Sequence, residues 1–307
     1  MKFIPIHFFS NKTKIDFIGT RWYGFGFSIL FSIISFAILA THGLNWGVDF
    51  TGGIVIELRT EKPADLAKMR DSLNNKGLGE VTLQNFGDVK NVMIRIQAAE
   101  NAEQSTIIQK VKNILETSTD DKIEYRNIEY VGPAVGNELK RSGVMATIFA
   151  CVAIMGYVWF RFEWQFGIGT LLALAHDTIM VIGFYAITRF DFGLNAVAAV
   201  LTIIGYSMND SVIIYDRIRE NLRRYKKIPF ADLLNQSMNE TLARTVLTSS
   251  TTLLAALSLA IFGGEVIRGF SWSLVFGIVV GTYSSIYISA PALVYLGIRD
   301  DKQEAVA

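Results

Sequence analysis

The chain has 307 residues, 51% of them hydrophobic and 19% charged, with a formal net charge of +1. The apolar residues gather in runs of about 18–25, long enough to cross a bilayer as helices, so an ordinary soluble domain is excluded. The net charge says nothing about nucleic acid, but no basic tract is built for a nucleic acid's phosphates, and no nucleic-acid partner is expected. The single cysteine, Cys151, rules out an internal disulfide and a thiolate metal site, and no metal or other cofactor is expected.

Residues 1–44 read as a cytoplasmic N-terminus and a first span. Lys2, Lys12, Lys14 and Arg21 precede an apolar run over 23–41. A basic stretch before an apolar run also describes a signal peptide. This run is longer than a signal's apolar core and no small-residue cleavage site follows it, so it reads as an uncleaved helix. Residues 45–141 are polar. Alternation predicts strands over 54–59, 81–86, 92–97 and 123–131, with helices over 63–76 and 102–116 and a turn at Gly87-Asp88. That order, strand–helix–strand–strand–helix–strand, is the split β-α-β signature of a ferredoxin-like sandwich, a fold that hosts many functions. Residues 142–298 then hold five further spans, over 144–160, 166–187, 193–215, 245–262 and 269–296, the last tilting or ending at Pro291. Residues 299–307 form a tail. The expected fold class is a membrane all-α bundle of six transmembrane helices with an inserted α+β ferredoxin-like periplasmic domain.

Orientation follows from the short loops, where Lys and Arg stay in the cytoplasm. The segment 216–227 carries Arg217, Arg219, Arg223, Arg224, Lys226 and Lys227 against Asp216 and Glu220. The basic N-terminus agrees, as do Arg299 and Lys302. Both termini are then cytoplasmic, the links 189–192 and 263–268 lie outside, and the domain over 45–141 is periplasmic. The stretch 216–244 reads as a cytoplasmic amphipathic loop, with Glu220 and Arg224 spaced as a helical pair. It either lies on the inner membrane face, drawn to anionic lipid, or meets a cytoplasmic partner.

Ionisable groups inside spans are costly and are candidate functional residues. His176 and Asp177 fall near the middle of the third span, Asn209 and Asp210 in the inner half of the fourth, and Arg244 at the start of the fifth. Asp210 precedes Tyr215 by five residues, about 7 Å at the helical rise. The fourth and fifth spans run antiparallel, so Arg244 reaches a similar depth. The pair outlines a proton switch, in which the carboxylate alternates between an Arg-paired ionised state and an isolated protonated one. Other readings stand beside it: Arg244 as a snorkelling helix-end residue, Asp210 as a packing residue, and His176-Asp177 as a buried hydrogen-bonded pair. Ser207, Ser211 and residues 248–252 read either as interhelical hydrogen-bonding groups or as a water-lined path. Gly277 and Gly281, with Ser284 and Ser285 one turn on, permit close helix approach. No Walker lysine motif, zinc spacing or G-x-S-x-G elbow occurs, so the chain does not read as an enzyme and has no nucleotide site.

Several of these stretches resemble the SecD/SecF family of protein-export membrane proteins. They are 43–53 (GLNWGVDFTGG), the pair His176-Asp177, 205–221 (GYSMNDSVIIYDRIREN), Arg244 with 248–252 (TSSTT), 262–270 (FGGEVIRGF) and 281–287 (GTYSSIY). The Asn209-Asp210 pair favours the SecF branch. The resemblance implies a SecD partner in an RND-like pseudo-symmetric pair, association with the SecYEG channel and YajC, and preprotein substrates. It also implies the bacterial inner membrane, use of protons to drive a late, ATP-independent stage of export, and a proton-linked role for Asp210 with Arg244. A heteromer with SecD is expected, joined partly through the span carrying Asp210 and the last-span glycines. A small-solute exporter of the RND class and a passive scaffold are the alternatives.

Overall fold

The computed structural model describes residues 13–74, 76, 78, 81–96, 104–119, 121–264 and 266–298. Lys2, Lys12, residue 97, the start of the expected helix at 102, Glu265 and the tail with Arg299 and Lys302 lie outside the described residues. The chain divides into two compact units, one of Trp46–Met145 with Asp191–Leu194, the other of Met1–Asn45, Ala146–Phe190 and Asn195–Ala307.

In chain order the helices and strands are α1 (Arg21–His42), α2 (Val48–Thr51), β1 (Gly53–Thr60), α3 (Leu66–Leu73), β2 (Val81–Phe86), β3 (Asp88–Ile96), α4 (Gln104–Ser118), β4 (Ile123–Val131), α5 (Pro133–Arg161), α6 (Trp164–Thr188), α7 (Leu194–Arg224), α8 (Phe230–Phe262) and α9 (Arg268–Ser284). A π-helical segment, Ser285–Ser289, a short α10 (Ala290–Ala292) and a 3₁₀ turn, Leu293–Tyr295, follow.

The first unit is built on an antiparallel sheet in the order β2-β3-β1-β4. β1 lies between β3 (Ile54 opposite Ile96) and β4 (Gly53 opposite Val131). Alternate residues of the strands, Ile54, Ile56 and Leu58 on β1 and Val92, Ile94 and Ile96 on β3, point to one face. There they meet Met69 and Leu73 of α3 and Ile107, Val111 and Leu115 of α4 in one apolar core. The period-two pattern puts both helices on that face. Helix α3 starts later than the 63–76 expected, because Asp65 caps it: its carboxylate accepts the N–H groups of Ala67 (3.1 Å) and Lys68 (3.0 Å); it ends at Leu73, where Asn74 turns extended. The segment Asp191–Leu194, expected as a plain outside link, belongs to this unit. Gly47 N donates to Phe192 O (3.0 Å), Leu194 N donates to Asp49 Oδ2 (2.7 Å), and Arg95 pairs with Asp191.

The second unit holds helices long and apolar enough to cross a membrane. Six such helices occur among the described residues: α1, α5, α6, α7, α8 and the final segment Arg268–Tyr295. They are not equivalent. In their most apolar windows, 56% of α6, 44% of α7 and 56% of the final segment is buried, against 11% of α1, α5 and α8. The central helices are therefore α6, α7 and α9. The outer ones present Phe27, Ile29, Phe149, Val152, Leu247 and Leu254 outwards, an arrangement suited to lipid and unsuited to water.

Two sequence expectations change here. The stretch 216–244 is not a separate surface helix. It is the ends of α7 and α8, joined by a turn over 225–229. The reason is apolar pairing: Tyr215, Ile218 and Leu222 of α7 bury against Leu233, Leu234 and Met238 of α8, with Phe166 and Phe17. A helical hairpin thus covers the apolar face of this stretch. The last span is also not uniform. Pro291 has no N–H to give to the preceding turn, and the helix widens to π geometry just before it, over a serine-rich segment.

Candidate functional site

The helical unit buries two carboxylates on its central helices. Asp177 of α6 and Asp210 of α7 are both 0% exposed. A carboxylate in an apolar surround needs donors, so the neighbours decide what each can do.

Asp177 is well supplied. Its Oδ1 lies 3.0 Å from His176 Nδ1. Its Oδ2 accepts from Ser207 Oγ (2.5 Å) on α7 and from Ser284 Oγ (2.8 Å) on α9. Two features set this up. A β-carbon on Gly281 would lie 3.1 Å from Ser207 Cβ, so the absence of one lets α9 approach α7. The start of the π segment then turns Ser284 to Asp177 while Ser285 donates to Ser207 O (3.2 Å) and meets Ser211 Oγ (3.1 Å). Gly277 likewise lies against Ile203 of α7. The expectation that these glycines join a partner is corrected: both are buried inside this chain.

Asp210 is poorly supplied. Among the described residues its one hydrogen bond is from Ser249 Oγ of α8, at 3.5 Å, and its Oδ1 is buried without a partner. The Ser249 hydroxyl has one proton to give. Thr282 Oγ1 lies closer, at 2.8 Å, and its own proton goes to Ile278 O (2.8 Å). Tyr206 OH, one turn before Asp210, donates to Ser249 (2.9 Å). Thr245 Oγ1, on the same helix as Ser249, is also buried and unpartnered among the described residues. Asp210 therefore sits beside a Tyr206–Ser249–Thr282 chain whose hydroxyls are engaged with one another and with the backbone.

Arg244 does not complete the site by contact. It is exposed, and no ion pair joins it to Asp210 among the described residues, although it lies within electrostatic range. The carboxylate faces Ser249, five residues further along α8, about 7 Å along the axis. The inward face of α8 at Arg244's level is taken by Thr245. Asn209 is likewise exposed, on a stripe of α7 shared with Thr202 and Gly205. The structure thus gathers His176, Ser207 and Ser284 around Asp177 and Tyr206, Ser249 and Thr282 near Asp210, and leaves Asn209 and Arg244 on the outside. Tyr206, Thr282 and the Asp177 contact of Ser284 were missed from sequence. The four-residue spacing from Tyr206 to Asp210 was a usable signal; the others come from remote helices. Among the described residues no His, Cys, Asp and Glu cluster could hold a metal ion.

This arrangement lies within the part of the chain that matches a known family. Residues 110–299 match the protein export membrane protein SecD/SecF C-terminal model, and residues 37–64 match the SecD/SecF GG motif. The protein translocase subunit SecF of Rickettsia felis is 48% identical over 306 residues, covering 100% of this chain and 99% of that protein. The SecF subunit of Rickettsia bellii is 50% identical over 293 residues, with 95% and 97% covered. The crystal structure of SecDF from Thermus thermophilus, described as a translocon-associated membrane protein, superposes with a TM-score of 0.86 at 35% identity. A super-membrane-facing form of SecDF gives 0.69 at 35% identity. The chain is covered to 95% and 96% in these comparisons and spans 40% of each SecDF chain. With nearly full-length identity to SecF subunits and a family model over most of its helices, the chain belongs to the SecD/SecF family, on its SecF branch.

Proposed function

We propose that the chain is a proton-gradient-driven accessory subunit of the Sec translocase. It pairs with SecD and assists late stages of preprotein export across the bacterial inner membrane, alongside SecYEG and YajC. Both termini are cytoplasmic, and the sheet unit is a periplasmic ferredoxin-like domain that binds or relays motion. The names of its relatives support the Sec role. The sheet order and the two helices on one face support the domain reading.

The observation that carries the proton reading is Asp210, wholly buried, with, among the described residues, one oxygen unpartnered and a single donor at 3.5 Å. A neutral carboxyl suits that surround, since it can donate to Ser249 Oγ. Losing the proton leaves a charge that the hydroxyls do not solvate, and the nearby cation able to answer it is Arg244. A side chain as long as arginine can turn inwards, so deprotonation would draw α8's outer face towards α7. Each proton taken up and released would then move one helix against another. Potential alone supplies about 2.3 kcal/mol per charge per 100 mV. The exposed polar residues Thr202 and Asn209 on α7 and Arg244, Ser250 and Thr251 on α8 mark the face that suits SecD, because polar groups avoid lipid.

The test is export into membrane vesicles with and without a proton gradient, at matched amounts of wild type and Asp210→Asn. Loss of the gradient-dependent part is expected. Full retention by both Asp210→Asn and Arg244→Ala would leave the residues as packing groups and favour a passive scaffold.

A further inference from the structure

The end of the helical unit where α5 and α7 finish carries a second polar feature, one that the proton reading does not use. Arg161, Asp216, Arg219, Glu220, Arg223 and Arg224 line an open cleft of about 550 Å³. Its two acids are already engaged. Asp216 pairs with Arg161 (3.1 Å), and Glu220 pairs with Arg217 (2.5 Å), which also holds Glu240 (2.6 Å). Arg219, Arg223 and Arg224 have no acidic partner among the described residues. Arg219 gives Nη1 to Arg161 O (3.2 Å), which fixes its guanidinium against the end of α5, while its Nε is buried without a partner among the described residues. Arg224 lies over the Tyr225 ring.

Beside this cluster, on the ends of α5 and α6, Trp159 is 65%, Phe160 93% and Trp164 48% exposed. Exposed aromatic rings at the ends of apolar helices mark headgroup depth. Three unpaired guanidinium groups thus stand at the level where phosphates stand. A guanidinium fork matches two oxygens of a phosphate, whereas a zwitterionic headgroup also brings its own cation. We infer that this cleft binds the phosphate of an anionic phospholipid, with the lipid's chains along the Trp159–Trp164 aromatic edge. The orientation proposed above decides only which leaflet supplies the lipid.

Native mass spectrometry of the full chain in detergent tests this, with phosphatidylglycerol and phosphatidylcholine offered together. The wild type should retain phosphatidylglycerol roughly tenfold better, and Arg223→Gln/Arg224→Gln should lose most of that preference. The two residues are exposed, so the variant should fold. Lys110→Gln/Lys122→Gln, in the sheet unit, removes the same charge and should change nothing. No preference in the wild type would overturn the proposal and leave the cluster to an acidic protein partner. Equal loss in both variants would reduce it to general charge attraction. Displacement of the lipid by millimolar inorganic phosphate would make it a free-anion site. Detergent has no leaflets, so a reversed topology would leave the binding intact, and site-directed labelling of the loops reads that topology separately.

Discussion

Asp177 and Asp210 lie on neighbouring central helices, neither with any exposed surface, and yet their surroundings are opposite. Asp177 has a ring nitrogen on one oxygen and two hydroxyl donors on the other, at 2.5 and 2.8 Å. Asp210 has one donor at 3.5 Å and an oxygen with no partner among the described residues. Burial alone therefore does not distinguish the two carboxylates. The hydrogen-bond supply does. A fully solvated carboxylate has nothing to gain by changing state, whereas a starved one changes its contacts each time its proton comes or goes.

The contrast predicts opposite outcomes for the same substitution. Asp210→Asn should abolish gradient-dependent export while leaving thermal stability within about 1 kcal/mol, since only one long hydrogen bond is at stake. Asp177→Asn should do the reverse. Its amide can keep an oxygen towards Ser207 and Ser284 only by setting its NH2 against the His176 ring nitrogen, and exchanging a carboxylate for a neutral acceptor weakens all three buried contacts, costing about 1–3 kcal/mol. Lowered melting temperature and poor accumulation in membranes would be the signs, and a variant that is stable but uncoupled would erase the distinction.

Gly281→Leu sharpens the same point from the packing side. It forces α9 off Ser207, which should cost about 1–3 kcal/mol by overpacking and disturb the Ser284 donor to Asp177. Its phenotype should follow Asp177→Asn in a thermal-shift assay and not Asp210→Asn.

The smallest effect is expected outside the helical unit. Glu57 on β1 has its carboxyl raised above the usual range by burial, with Glu129 and Asp191 adding to it and Arg126 opposing. A raised carboxyl means the folded state holds the proton more tightly. Its stabilising contribution is present at low pH and fades as pH rises from the ordinary glutamate range through the folded value. Glu57→Gln should thus raise the melting temperature slightly at neutral pH, with the gain vanishing in acid. An unchanged difference across pH would show that Glu57 is not the group responsible.

Much of the helical unit was legible because a span is a local property. In lipid each backbone group must be bonded within its own helix, so length and hydropathy in one window suffice. The sheet unit's element order was legible for a similar reason, since period two and the Gly87-Asp88 turn are short-range signals; Gly87 does adopt a positive φ of 70°. The hairpin of α7 and α8 was not, because the charged residues of 216–227 concealed the buried stripe of Ile218 and Leu222.

Sequence by itself determined which residues lie inside the apolar helices, and so named Asp177, Asp210 and Arg244 as candidates. It also set the strands and helices of the polar insertion. Only the tertiary structure decided which carboxylate is satisfied, because the Asp177 donors come from residues 30 and 107 positions away and the Asp210 donor from 39. It likewise decided that Gly277 and Gly281 pack inside the chain and that Arg244 points out. Depth along a helix follows from counting at 1.5 Å per residue. The direction a side chain faces among its neighbours follows from how each helix is rotated in the bundle, and that rotation is set by long-range packing.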